Sequence, residues 1–228
     1  MTDAQPDDIF IDSETLDSLH DPHITRLPPG ERIGALRFGL AVTYDGTFGW
    51  RSWTSSLVNL LWNHLTMPGL RIVGWDVLEY DLPVICHAMQ CSCPNPILDM
   101  SAEIQDAIGR HYKLDSIARA NLGRGKLMDT YLVIEWLRKG DSVSMTRATE
   151  HCHNNVQLVR DLLAFVRRGA PLVLPGREKS RDYAQPAANE ETLRLYFNPD
   201  GAWVRCETTH GAVINQRTVP ARPAVSQH

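Results

Sequence analysis

The sequence predicts an α/β fold: a mixed sheet of five strands flanked by helices, with a small C-terminal β-hairpin appended. Three observations predict it. Short apolar runs of strand length recur at residues 9–11, 36–44, 47–53, 70–75 and 97–98. Asp45-Gly46 stands between the second and third runs as a tight hairpin turn, so those two strands pair antiparallel. Stretches with helical spacing separate the later strands and dominate residues 101–168, an order that packs helices against a sheet.

Each element has its own signal. Ile9, Phe10 and Ile11 follow an acidic, proline-containing leader and read as a buried strand. Residues 17–34 read as loop, punctuated by Pro22, Pro28, Pro29 and Gly30. Leu57, Leu60, Leu61 and Leu65 recur at helical intervals behind Thr54, Ser55 and Ser56, any of which can cap, and Met67-Pro68-Gly69 ends that helix. Residues 79–89 read as a helix with Pro83 in its first turn, where a missing N–H costs nothing. Helices are expected at 101–111, 114–122, 129–138 and 147–168, the last with Val156, Val159, Leu162, Leu163 and Val166 on one face. From residue 169 the periodicity fades. Residues 1–168 are therefore expected to form one domain and 169–228 an extension. The extension is expected to hold a hairpin near 193–206, turning at Asn198-Pro199-Asp200-Gly201, and a disordered tail at 218–228. Such an extension is expected to offer a surface to a protein partner.

The 228 residues are 43% hydrophobic, enough for a proper core. A net charge of −4 argues against a protein that holds duplex DNA by charge alone. It leaves room for an enzyme that grips a few nucleotides and neutralises phosphates with metal ions. No apolar run approaches membrane-spanning length, and the N-terminus is acidic where a secretory signal would be basic, so a cytoplasmic protein with reduced thiols is expected and no membrane partner. Cys86, His87, Cys91 and Cys93 are too cramped for the usual paired zinc spacing, and the cysteines read as free thiols in a helix and its following loop.

Three segments carry chemistry. Asp12 and Glu14 stand two apart on the first strand, so both carboxylates leave the same face. Like charges so close repel unless a cation lies between them or one takes a proton. Hard divalent ions such as Mg²⁺ prefer such oxygens and bind phosphate alongside. The pair alone is common at strand ends. Asp81 enters a helix just after the strand and Gly74 turn, where it can bring a third carboxylate to the end of the first strand; its structural alternative is a first-turn acid stabilised by the helix dipole. His151 and Asn155 are one helical turn apart and share a face, which would set a proton acceptor beside a ligand; the alternative is an exposed polar stripe.

In this order the segments resemble the DEDD superfamily of 3′–5′ exonucleases, of ribonuclease-H-like fold. Its Asp-x-Glu motif matches Asp12-Ser13-Glu14-Thr15, its second motif Gly74-Trp75-Asp76 with Tyr80-Asp81-Leu82-Pro83, and its third His151-Cys152-His153-Asn154-Asn155-Val156. Leu98-Asp99 and residues 113–123 resemble the segment between them. The resemblance spans residues 8–168. It implies metal-dependent removal of nucleotides from the 3′ end of single-stranded DNA or RNA, with two Mg²⁺ or Mn²⁺ ions among Asp12, Glu14, Asp81 and position 155. It implies His151 as the group that orients or deprotonates water, Ser13 and Thr15 near the terminal nucleotide, and Trp75 and Tyr80 as stacking surfaces; a core place is the alternative for Trp75.

The match departs at two main places. The fourth acid of the family is Asn155 here, a neutral amide that leaves one ion poorly held. The isosteric change, flanked by residues of the family's type, reads as an inactivated Asp→Asn variant; a natural pseudo-exonuclease acting as a nucleic-acid-binding or protein-assembly module is the alternative. His151 stands at the spacing the family gives to a Tyr, and Glu150 at the spacing it gives to a His. Arg119, Arg124 and Lys126 read as surface charges within reach of phosphate.

Overall fold

The computed structural model describes residues 7–93, 95–175, 191–197, 203–208 and 213–215. Its centre is strand β1, Asp7–Thr15. A one-turn helix α1, Pro22–Thr25, and a 3₁₀ turn, Pro29–Glu31, occupy the segment read as loop, each opening on a proline. Strands β2 (Phe38–Asp45) and β3 (Gly49–Thr54) form the expected antiparallel hairpin, and β2 also pairs antiparallel with β1. After helix α2 (Val58–Leu65), strand β4 (Leu70–Gly74) returns parallel to β1 on its other side. Helix α3 (Leu82–Met89) leads to β5 (Ile97–Asp99), parallel to β4. The sheet order is β3-β2-β1-β4-β5, the mixed five-stranded sheet that the sequence pattern predicts.

Helices α4 (Met100–Ile108), α5 (Leu114–Leu122), α6 (Thr130–Lys139) and α7 (Ser142–Arg167) follow. The alternation of β1 sorts the two sides of the sheet. Ile9 and Ile11 bury against Leu61, Leu65, Val84 and Ile85 of α2 and α3. Phe10 belongs to the opposite core, with Ile104, Ile117, Val133, Val156 and Leu163 of α4 to α7. Asp12 and Glu14 share Phe10's phase and so face the α7 side.

Two helices differ from expectation in ways that matter for the site. The segment 79–89 is split: a π-type turn, Val77–Asp81, precedes α3. Helix α7 begins at Ser142, because the Asp141 carboxylate accepts from Ser144 N at 2.9 Å and from its hydroxyl at 2.9 Å. The His151 segment therefore lies more than two turns inside the helix, not at its start.

The C-terminal hairpin is present and larger than a hairpin. Strands β6 (Leu172–Leu174), β7 (Glu191–Phe197), β8 (Trp203–Thr208) and β9 (Val213–Asn215) form a second, antiparallel sheet in the order β6-β7-β8-β9. Leu172, Leu174, Leu193 and Leu195 are buried in the same cluster as the inner face of α7. The turn at 198–201 and the tail at 218–228 lie outside the described residues. Among the described residues no helix is long and apolar enough to cross a membrane.

Candidate metal centre

A cleft of about 1030 Å³ opens where β1 ends, floored by Asp12, Ser13, Glu14 and Asp81. Ser13 ties two of these segments together. Its backbone N–H and its hydroxyl both donate to Asp81 Oδ1, at 2.7 and 2.6 Å. The turn that delivers Asp81 is tightly determined. A Cβ on Gly74 would stand 2.8 Å from Val77 Cβ and 3.2 Å from Ile11 O, so only glycine lets the chain cross β1 here. Asp76 takes the left-handed conformation at φ 59°. Buried Asp99 at the end of β5 accepts from Asp76 N at 3.0 Å and Leu78 N at 2.9 Å, and also caps α4 through Ser101 N at 3.0 Å. Burial raises the Asp99 carboxyl above its ordinary range.

Helix α7 closes the site from behind with three buried side chains. Asn155 Nδ2 donates to Asp12 at 3.3 and 3.2 Å and stands 3.1 Å from His151 Nε2. His151 Nε2 is 3.4 Å from Glu14 Oε1. The Cys152 sulfur and one carboxylate oxygen each from Asp12 and Glu14 lie within 4.8 Å of one another. His151 and Asn155 have no exposed surface and are not among the residues lining the cleft. Glu150, by contrast, is exposed on the outer face of α7. The helix register explains this: positions 151, 152 and 155 point to the sheet and 150 does not.

The electrostatics are those of crowded anions. Burial, then the nearby Glu14, pushes the Asp12 carboxyl up to about 6; Lys126, His151 and the Asn155 amide oppose the rise. Burial and the Asp12 charge raise Asp81 as well. Burial works against the Lys126 ammonium, but the pull of Asp12, Glu14 and Asp81 outweighs it and lifts its pKa. Burial also raises the Cys152 thiol, reinforced by Asp12 and Glu14.

Lys126, read from the sequence as a surface charge, lines this cleft. Its loop is held by long-range contacts. Asp115 Oδ1 accepts from Lys126 N at 2.7 Å, and Asn154 Nδ2 donates to Gly125 O at 3.2 Å. A Cβ on Gly125 would lie 2.1 Å from Asp115 Oδ1 and 2.9 Å from Arg119 Nε, so the glycine is what admits the clamp. The Gly-x-Gly-Lys run was the available signal. Arg119 pairs with Asp115 at 2.9 Å and Arg124 pairs with Asp161.

The other expected contacts sit as follows. Thr15 has no exposed surface; its hydroxyl donates to Asp17 O at 2.7 Å and lies 3.1 Å from the Tyr80 hydroxyl, whose pKa burial pushes to about 12. Trp75 lines the cleft but is only 8% exposed, and its indole N–H donates to Tyr112 O at 3.2 Å. Little of its ring is open to a base. Larger apolar surfaces at the cleft belong to Leu127, Met128 and Tyr131, which are 55%, 44% and 59% exposed and were not singled out by sequence. Cys86, Cys91 and Cys93 are free thiols.

The donor set suits a hard cation in part. Asp12 and Glu14 offer adjacent carboxylate oxygens, as such an ion requires. Asn155 turns an N–H, not an oxygen, toward Asp12, so these residues fit one hard ion better than two.

No family model matches the sequence, and no curated protein matches it. The structure is similar to solved ones. A family B DNA polymerase from the hyperthermophilic archaeon Pyrobaculum calidifontis superposes with a TM-score of 0.53 at 12% identity, over 70% of this chain and 25% of the polymerase. E. coli exonuclease I in complex with a 5cy-dT13 oligonucleotide matches with a TM-score of 0.39 at 11% identity, over 84% of this chain and 54% of that one. An apo exonuclease I matches with a TM-score of 0.40 at 12% identity, over 84% and 56%. The chain thus spans about a quarter of the polymerase and about half of exonuclease I. The likeness is one of fold: a mixed five-stranded sheet with flanking helices, consistent with the ribonuclease-H-like fold.

Proposed function

We propose that the cleft is the active site of a metal-dependent 3′–5′ exonuclease acting on single-stranded DNA or RNA, weakened in this chain by Asn155. The observation that carries the reading is the convergence of Asp12, Glu14 and Asp81 on the floor of one cleft in this fold, with Ser13 bonded to Asp81 at 2.7 and 2.6 Å. Mg²⁺ or Mn²⁺ held there would activate a water and stabilise the leaving 3′ oxygen. Asp12 and Glu14 are the ligands from β1, Asp81 the ligand from the π-type turn, and Asn155 the deficient fourth position. Lys126 sets a cation beside the scissile phosphate and offsets its charge. His151 acts from behind the carboxylates, holding Glu14 and Asn155 in place. Ser13 fixes Asp81, and Thr15 fixes Tyr80. Terminal bases rest on the apolar rim of Leu127, Met128 and Tyr131, beside Tyr80 and the edge of Trp75.

The test compares this chain with Asn155→Asp on end-labelled single strands of DNA and RNA in Mg²⁺ or Mn²⁺. Progressive shortening from the 3′ end is expected, at least about tenfold faster in the Asn155→Asp protein and abolished by Asp12→Asn. No shortening with either residue at 155 contradicts the reading. One observation favours a second reading, a non-catalytic nucleic-acid-binding or assembly module: the Asn155 amide already satisfies Asp12 at 3.2–3.3 Å without a metal. That reading expects strand binding unchanged by alanine at Asp12 and Glu14.

A further inference from the structure

Cys86, Cys91 and Cys93 lie close in sequence where α3 ends, and none of them lines the cleft. Helix α3 closes in a Schellman cap. Gln90 N–H donates to His87 O at 3.2 Å, and Cys91 N–H donates to Cys86 O at 3.1 Å. In this motif the residues joined by the longer-range bond bring their side chains together across the cap, a place usually filled by an apolar pair. Here both are cysteines. With the N–H to O=C contact at 3.1 Å, fixed bond lengths keep the two α-carbons within about 7 Å, and the bends at the amide and carbonyl shorten that further. A disulfide spans about 4.4–6.8 Å between α-carbons. The backbone therefore holds this pair at bridging distance before any bond forms.

The cap itself gives a second observation. Helices α4, α5 and α6 each end on a left-handed glycine: Gly109, Gly123 and Gly140. Helix α3 ends instead on Gln90 at φ 53°, a conformation in which a side chain is strained. A covalent bond across the cap would secure a turn that its own sequence does not favour. The two thiols also differ in access. Cys91 is exposed, while Cys86 is half-buried and packs with Cys93 against the apolar cluster of α2 and α3. Burial pushes the Cys86 thiol up to about 11 and raises Cys91 and Cys93 as well. Weakly acidic thiols attack slowly, but they are poor leaving groups, so a bond between them resists exchange once made.

We propose that Cys86 and Cys91 form a dithiol–disulfide modification site at the C-terminal cap of α3, oxidised by a small disulfide of the glutathione type. The exposed Cys91 thiolate attacks the oxidant, forms a mixed disulfide and releases one glutathione thiolate. The Cys86 thiolate then attacks the Cys91 sulfur, which forms the intramolecular bond and releases the second glutathione thiolate. The two cysteine protons end on the two glutathione thiols. The cysteine pair loses two electrons and the oxidant gains them. Cys93 stays a thiol. The bond staples the end of α3 to the segment that leads into β5. The site is independent of whether the cleft cuts nucleic acid, and a nuclease assay is not its readout.

The test uses the full, unaltered chain. Folded protein is incubated with oxidised glutathione in mildly alkaline buffer, and remaining thiols are blocked with N-ethylmaleimide. Cyanogen bromide then cuts after Met67, Met89 and Met100, which puts Cys86 on one fragment and Cys91 with Cys93 on the next. The two fragments are expected to stay joined until a reductant is added. Tandem mass spectrometry should place the bond at Cys86–Cys91 with the maleimide on Cys93, exceeding Cys86–Cys93 linkage at least about tenfold. In Cys93→Ser the yield of joined fragments should hold within about twofold. Fragments that separate without reductant, a bond that maps to Cys93, or oxidation that stops at glutathione adducts overturns the proposal. Should Cys93→Ser not fold, the mapping on the unaltered chain decides alone.

Discussion

Asn155 donates to Asp12 at 3.2–3.3 Å, at a position where a carboxylate would repel both Asp12 and Glu14. In metal-free protein Asn155→Asp should therefore cost about 1–3 kcal/mol, through a lost buried hydrogen bond and an added charge. Chemical denaturation with and without Mn²⁺ reads this; the loss should be recovered on adding the ion, and equal stability of the two proteins without metal would refute it. Asp12 also imposes a pH dependence. Its carboxyl titrates near 6 in the fold and at the ordinary 3.8 unfolded, so the native state binds the extra proton between those values. That contribution to stability is complete below the unfolded value and is lost as pH rises through about 6. The metal-free melting temperature should include this falling component from pH 4 to 6.5, and Asp12→Asn should flatten it. Much of this chemistry was legible in the sequence. A period-two spacing identifies Asp12 and Glu14, and a glycine turn before a helix identifies Asp81. Cys152 was legible only as part of a motif and Lys126 only as a surface charge within reach of phosphate, since sequence spacing does not say which side of a helix meets a carboxylate or where a loop folds back.

The loop at 123–126 shows why. Gly125 is clamped by Asp115 and Asn154, residues 10 before and 29 after it, and that clamp carries Lys126 into the cleft. Gly125→Ala should force Asp115 aside, destabilise the protein by about 1–3 kcal/mol and move Lys126 from the carboxylates. Urea denaturation of Gly125→Ala beside Gly30→Ala, where a Cβ meets nothing within 4 Å, separates the clamp from the general cost of losing glycine. Equal effects would contradict the clamp. The π-type turn at Val77–Asp81 escaped sequence reading for a related reason. Its shape follows from Asp99, twenty-one residues beyond Leu78, accepting the turn's N–H groups. Helix α7 began earlier than its apolar pattern because the Asp141 cap, not the hydrophobic stripe, sets its start.

At the scale of the molecule, α7 is held between two sheets. Its inner face shares one buried cluster with Phe10 and Val73 of the central sheet and with Leu172, Leu174, Leu193 and Leu195 of the second. The mixed five-stranded sheet was legible in the alternation of strands and helices in the sequence, though not its strand order; the second sheet was not, because β6 and β9 are three residues each and carry no periodicity. Leu193→Ala should cost about 2–4 kcal/mol and loosen the helix that carries Asn155. A destabilisation under about 1 kcal/mol in denaturant titration would show that the second sheet does not support α7. The central claim, that the end of β1 is a metal-dependent site for a nucleic-acid 3′ end, is tested most directly by soaking crystals with Mn²⁺ and a nucleoside monophosphate. The account predicts anomalous manganese density bridging the Asp12 and Glu14 carboxylates, with the nucleotide phosphate beside it and Lys126 within reach. A cleft free of manganese and nucleotide, both in this chain and in Asn155→Asp, would contradict it.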